Sequence, residues 1–228
     1  MAKRSKGVII AIDGPAGVGK STIGKMVAAR LNYSFISTGK MYRALAWKAL
    51  ASGADLENEA ALMDLARAVK WEFKPSGTPE PQLCVDGQPL DREITDESVG
   101  KASSTVSKFA GVRRFMCDMQ RAIGAEGGVV MEGRDIGTNV FPDAELKVYL
   151  DASAEARAGR RAAQLRAQGL EADLGSILDF IIRRDNQDSQ RKNNPLKRSQ
   201  DGHYIDSTSL NREQVVMEIL RLCAQVMA

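Results

Sequence analysis

Five short apolar-rich runs punctuate the chain: Val8–Ile12, Ser34–Ile36, Val129–Met131, Leu146–Leu150 and Tyr204–Asp206. They are too short for helices and lack a strict polar alternation, so they predict strands buried on both faces of a parallel sheet. Between them, apolar residues recur at helical spacing in Ser21–Leu31, Tyr42–Leu50, Ala154–Gln168 and Leu174–Arg184. A last helix follows Asn211, whose spacing to Gln214 fits a capping box, and continues to Val226. Strands alternating with helices predict an α/β fold with helices on both faces. One stretch breaks this rhythm. From Val69 to about Thr95 the pattern is β-like, with a loop rich in proline and glycine, "KPSGTPEP", and Asp86-Gly87 between two short strand candidates. That dipeptide is a hairpin signal. The expected organisation is a core of residues 1–66 and 103–228, with a small antiparallel insertion at 67–102.

Composition narrows the partners. A chain of 228 residues suits one α/β domain with a sizeable core. The formal net charge of +3 argues against a general nucleic-acid binder, so any basic function must be local. Cys84, Cys117 and Cys223 are far apart and odd in number, which predicts reduced, mostly buried thiols and a cytoplasmic protein. The apolar run in "MAKRSKGVIIAID" is too short for a signal peptide and is closed by Asp13. No stretch is long enough to span a bilayer, so no membrane partner is expected. His203 is the single histidine, which disfavours histidine-based metal sites and Ser-His-Asp hydrolysis.

The first candidate for chemistry follows the first strand. "GPAGVGKST" fills the G-x-x-x-x-G-K-[ST] pattern of a phosphate-binding loop, which makes the expected fold a P-loop NTPase type. Gly14, Pro15, Ala16, Gly17, Val18 and Gly19 would wrap ATP phosphates with backbone N–H groups. Lys20 would neutralise the β- and γ-phosphates, and Ser21 would offer its hydroxyl to Mg²⁺, with Thr22 beside it. Asp13 could orient water on Mg²⁺ or cap the loop. No N-K-x-D and no downstream D-x-x-G is present, which disfavours a GTPase-type switch. A small-molecule kinase remains.

A phosphorylated acceptor needs cations of its own. Arg157, Arg160 and Arg161 share one face of a helix, and so do Arg184, Asp188 and Arg191 if their helix continues. Arg43 follows Tyr42, and Arg134 stands at the end of the third strand. Ligands of open parallel sheets bind beyond the carboxyl ends of the strands, where Arg134 is.

Four segments, "IDGPAGVGKST", "STGKMYRALA", "EGRDIGTNVFPDAELKVYLDAS" and "RRDNQDSQR", together resemble the bacterial cytidylate kinase family. The resemblance runs from about Val8 to the last helix, and the last two segments are far more specific than the P-loop. It implies transfer of a phosphoryl group from ATP, with Mg²⁺, to CMP or dCMP. It also implies a mobile monophosphate-binding insertion and a short helical lid at about 154–168. Residue by residue, it implies that Arg43, Arg134 and Arg191 hold the CMP phosphate with Tyr42 close by, and that Arg184 and Asp188 contact the sugar. Ser104, Arg113 and Asp135 would read cytosine, and Arg157 and Arg161 would belong to the lid over the ATP phosphates. The chemistry of the base agrees, since a carboxylate can accept from the exocyclic amine and an arginine can donate to the other edge. Two positions depart from the family pattern. Ser37-Thr38-Gly39 stands where Asp-Ser-Gly is common, so Thr38 keeps a hydroxyl for the substrate while Ser37 loses the acid. Glu132 stands where Asp is common, and no role carries over to it.

The expected reaction is in-line phosphoryl transfer by positioning and charge stabilisation, in a monomer that binds no nucleic acid. Two alternatives compete with it. One is another P-loop kinase, for UMP, shikimate or dephospho-coenzyme A. The other is a nucleotide-dependent RNA-binding module built on the 157–166 arginines, which the near-neutral charge and 5% aromatic content disfavour.

Overall fold

The structure, a computed structural model, describes residues 4–228. In chain order the strands are β1 (Ile9–Asp13), β2 (Ser34–Ser37), β3 (Trp71–Lys74), β4 (Gln82–Val85), β5 (Gln88–Pro89), β6 (Val129–Gly133), β7 (Leu146–Asp151) and β8 (His203–Asp206). The helices are α1 (Lys20–Leu31), α2 (Thr38–Ala51), α3 (Glu59–Ala68), α4 (Glu97–Val106), α5 (Ala110–Gly124), α6 (Ala154–Ala167), α7 (Leu174–Ser189) and α8 (Arg212–Met227). A short π-helix, Ile136–Val140, follows β6.

All five expected core strands form one parallel sheet in the order β2-β6-β1-β7-β8. Side-chain alternation explains their near-continuous apolar sequences. Ile9, Ala11, Val129 and Met131 join one core with α2, α4 and α5, while Ile10, Ile12, Val130 and Val148 join a second core with α1 and α8. Both faces are buried, so both parities must be apolar. β1 is central, and the chain moves to opposite sides of it through β6 and β7. The ends of β1, β6 and β7 therefore form the crevice where such sheets bind ligands.

The five expected helices are present, and Asn211 and Gln214 form the reciprocal capping box. Two begin or end elsewhere: α2 starts at Thr38 rather than Tyr42, and α7 runs on to Ser189 rather than stopping at Arg184. Three helices and the π-helix were not expected. α3 buries only Leu62 and Ala66, a stripe too thin to stand out. α4 contains Gly100 and three serines, which favour helix weakly, and packing against α2 carries it. α5 buries Arg113 and Gln120 beside a regular apolar stripe, Val112, Phe115, Met116, Met119 and Ile123, whose helical spacing is legible in the sequence.

The insertion is a three-stranded antiparallel sheet, β3-β4-β5. Asp86 (φ 51°) and Gly87 (φ 81°) make the expected two-residue hairpin turn between β4 and β5. This sheet has no core of its own. Leu83, Val85 and Leu90 pack in the same cluster as Met41, Leu45 and Met131. Its loop is strapped to the edge of the main sheet. The Pro79 carbonyl accepts from the Phe35 N–H on β2 at 2.8 Å, and Glu80 pairs with Lys25 of α1 at 2.7 Å and Lys40 of α2 at 2.9 Å. Both lysines are partly solvated, so the ion pairs add little to global stability. Glu80→Ala is expected to cost less than about 1 kcal/mol in a denaturant melt. It should nonetheless speed protease cleavage within residues 75–81 several-fold; unchanged cleavage would show that the backbone bond alone holds the strap.

Candidate active site

β1 ends in Asp13 and the chain turns at once into the phosphate loop. A Cβ on Gly14 would stand 2.0 Å from the Leu150 carbonyl oxygen of β7, so only glycine fits that close approach. Gly19, at φ 100°, carries the chain into α1. Val18 points its side chain into the core, so it can offer a ligand only backbone. Lys20 is buried, and its Nζ donates to the Gly14 and Pro15 carbonyls at 2.8 and 2.7 Å. Burial, reinforced by the charge of Arg134, pushes its amine down to about 7.

Asp13 does not cap this loop. Its carboxylate accepts from the Ile136 and Gly137 N–H groups, both at 2.8 Å, and so anchors the π-helix instead. Burial raises its carboxyl to about 7.

Arg134, at the end of β6, and Arg191, just beyond α7, converge on Asp188. Arg134 Nε donates to Asp188 Oδ2 at 2.7 Å, and Arg191 Nη2 lies 3.0 Å from Oδ1. Burial pushes the Asp188 carboxyl up, and the two guanidiniums more than offset this and hold it below the usual range. Asp188 is thus spent on arginines. Among the described residues Arg184 has no ion pair; burial, then the charges of Arg134, Arg43 and Arg191, push its guanidinium down to about 10. Arg43 is likewise depressed by burial and by Arg161, and donates to the Ile94 carbonyl at 2.9 Å. Gly100 leaves room for it, since a Cβ there would come within 3.2 Å of the Arg43 Nη2.

The expected lid arginines separate. Arg157 is buried beneath the phosphate loop, donating to the Ala16 carbonyl at 3.0 Å and pairing with Asp185 at 2.7 Å. Arg161 and Arg160 instead line a cleft of about 740 Å³ beside the loop, closed on its far side by Ser207, Asn211 and Arg212. The 207–215 side of this cleft was not anticipated. Its one signal in the sequence was the capping box at Asn211, which marks a helix start but says nothing of where that start lies.

Asp135 and Arg113 meet at 2.7 Å, both buried, and the Tyr42 ring lies under the Arg113 guanidinium, 5.8 Å away. Burial pushes the Tyr42 hydroxyl up to about 12, so it stays protonated. Ser104 makes no hydrogen bond to this pair. Its hydroxyl donates to the Gly100 carbonyl at 3.3 Å, and the link to Arg113 runs through Ser107, which donates to the Ser104 carbonyl and accepts from Arg113 Nη1.

A family model described as cytidylate kinase matches residues 10–225. A cytidylate kinase of Geobacillus kaustophilus (strain HTA426) is 47% identical over 216 residues, covering 94% of this chain and 96% of that protein. The chain belongs to the cytidylate kinase family. A cytidylate kinase of Citrifermentans bemidjiense is 46% identical, covering 94% of this chain and 92% of that protein. Among solved structures, an uncharacterized protein from Eubacterium ventriosum superposes with a TM-score of 0.52 at 13% identity, covering 95% of this chain and 98% of that one, which shows a shared fold. Family membership decides among the small-molecule kinases that the phosphate loop left open.

The two departures from the cytidylate kinase pattern meet in space. Glu132 Oε1 accepts from the hydroxyls of Ser21, at 2.9 Å, and Ser37, at 2.6 Å. Where aspartates are common at both positions of the pattern, this chain sets one longer carboxylate against a hydroxyl, and the two are hydrogen-bonded. Thr38 donates to the Glu132 backbone carbonyl at 2.9 Å, tying the start of α2 to the same strand end.

Asp188→Ala would leave the Arg134 and Arg191 charges buried without their carboxylate. The expected loss is about 3 kcal/mol, read from the urea midpoint at constant slope. A loss below about 1 kcal/mol would mean that solvent already screens these charges.

Proposed function

We propose that the protein transfers the γ-phosphoryl group of ATP to the phosphate of CMP or dCMP, giving ADP and CDP or dCDP. The carrying observation is the set of buried or half-buried cations Lys20, Arg43, Arg134, Arg184 and Arg191, which feel one another's charge at the ends of β1 and β6, beside the Arg113–Asp135 pair. Such a set is costly without anions and suits two phosphates approaching each other.

In this reading the ATP base and ribose occupy the 740 Å³ cleft, and the loop N–H groups and Lys20 hold its phosphates. Arg43, Arg134 and Arg191 hold the CMP phosphate, Asp188 sets Arg134 and Arg191 in place beside the sugar, Arg184 contacts the sugar, and Thr38 and Ser104 border the acceptor site. Asp135 accepts from the cytosine amine. An oxygen of the CMP phosphate bonds to the γ-phosphorus as the bond to the β-phosphate oxygen breaks, and the electron pair leaves with ADP. That oxygen is already ionised at pH 7, so no strong base is required. Arg161 and the shared cations meet the charge that develops. Arg157 steadies the loop from below.

The oxygen-rich surroundings of Ser21 and Glu132 suit Mg²⁺, which takes few protein ligands and completes its shell with phosphates and water. Bound there, it would neutralise phosphate charge. The residues 67–102 act in this reading as the monophosphate-binding unit and 154–168 as the lid. In this reading a single chain carries both the donor and the acceptor site, and the protein acts as a monomer. The three cysteines are buried and unpaired, which supports a cytoplasmic setting. Among the described residues no helix is long and apolar enough to cross a membrane.

A coupled assay with CMP, dCMP and UMP tests the reaction, and absence of turnover with both cytidine nucleotides would overturn it. In the same assay Lys20→Ala should nearly abolish turnover while CMP binding, read by calorimetry, stays largely intact. Collapse of both would contradict separate donor and acceptor sites.

Asp135→Asn offers a donor where the carboxylate only accepts. The variant should lose roughly 1–3 kcal/mol in kcat/KM for CMP and less for UMP, whose O4 is an acceptor. An equal loss for both substrates would make Asp135 a structural partner of Arg113.

A further inference from the structure

The Asp135 carboxylate is used unevenly. Its Oδ2 accepts from Arg113 Nη2 at 2.7 Å and from Asn139 Nδ2 at 3.0 Å, whereas its Oδ1 accepts from no donor among the described residues. We propose that Asn139 is a specificity-determining positioning residue, whose amide fixes the plane of the Asp135 carboxylate so that Oδ1 alone meets the substrate base. This rests on the reading of Asp135 as the acceptor for the cytosine amine.

The backbone explains why residue 139 can do this. The Asn139 and Val140 N–H groups both donate to the Asp135 carbonyl, at 2.9 and 3.2 Å, and Phe141 donates to the Ile136 carbonyl at 2.7 Å. This widened π-type turn begins at Asp135 and sets the side chain of residue 139 back over it. Asp13 holds the start of the turn through Ile136 and Gly137. The amide's orientation follows from chemistry, because the carboxylate can only accept and so must face Nδ2 rather than the amide oxygen. The same Nδ2 also lies 3.8 Å from the Cys117 sulfur, a weak acceptor.

A carboxylate turns easily about its last torsion, which has broad wells. One donor on Oδ2 leaves that rotation open, and a second donor from a different direction closes it. Fixed in place, Oδ1 meets the cytosine amine well and faces the O4 of uracil as acceptor against acceptor. Freed, it can swing away from O4, and discrimination weakens. Arg113 keeps a buried Nε that has no partner among the described residues, and Asn139 makes no hydrogen bond to this guanidinium.

The test is the ratio of kcat/KM for CMP to that for UMP in Asn139→Leu, Asn139→Asp and Asp135→Asn, with thermal melts of each. Leucine removes the donor at similar size, and aspartate replaces it with an acceptor. Asn139 is only half-buried, and the isosteric aspartate variant guards against a packing failure of the leucine one. We expect both Asn139 variants to lower the ratio about tenfold, mainly through KM for CMP, which corresponds to roughly 1.4 kcal/mol. A purely structural Asn139 would lower both substrates together and leave the ratio within twofold of wild type. That result, with the Asp135 variant still shifting the ratio, overturns the role of Asn139 alone. A ratio unmoved by Asp135→Asn overturns the base-reading assignment beneath it as well.

Discussion

Gathering positive charge at the carboxyl edge of a parallel sheet is the constraint around which the rest of this molecule is arranged. Each buried guanidinium or ammonium is expensive without a partner, yet a full set of partners would leave nothing to attract a phosphate. The chain resolves this by rationing its carboxylates. Asp188 is shared by Arg134 and Arg191, and Asp185 is committed to Arg157. Arg184 and Arg43 are left with depressed basicity and no ion pair among the described residues. Lys20, lowered to about 7 and bonded to two loop carbonyls, belongs to the same economy of charge.

The scaffold that tolerates this is stiff where it must be. β1 sits between β6 and β7 with both faces buried, and the phosphate loop approaches β7 so closely that Gly14 has no room for a side chain. Asp13 extends the same strand's influence sideways, ordering the turn that carries Asp135 and Asn139. The phosphate loop and the turn that carries Asp135 therefore both hang on the end of β1, the first through the chain itself and the second through the short side chain of Asp13. The insertion is attached differently. It borrows the main core and adds a strap at Glu80, so its position depends on packing and on partly solvated ion pairs.

The substitutions that looked least conservative are intelligible as a pair. Ser37 and Glu132 stand side by side, and the hydroxyl of one meets the lengthened carboxylate of the other. Ser21 shares that carboxylate, so the phosphate loop and the start of α2 are joined through a single acidic oxygen. Either residue taken alone would read as a lost function.

The sequence by itself determined the parallel sheet, the phosphate loop, the hairpin at Asp86-Gly87 and the kinase family. These are set by local rules: apolar parity along strands, glycines where the backbone must approach closely, and a lysine at a fixed step from them. In α4, Gly100 and the serines weaken the local helix preference, while α5 carries a regular apolar stripe that is legible in the sequence. Only the tertiary structure decided which arginines are neutralised and which stay unpaired, that Asp13 serves the π-helix, and that Arg157 and Arg161 do different work a single turn apart. It alone brought Asn139 onto Asp135 and residues 207–215 to the cleft. The reason is physical: helical spacing says which side chains share a face, but the charge state and partners of a buried group depend on every chain segment that packs against it, however distant in sequence.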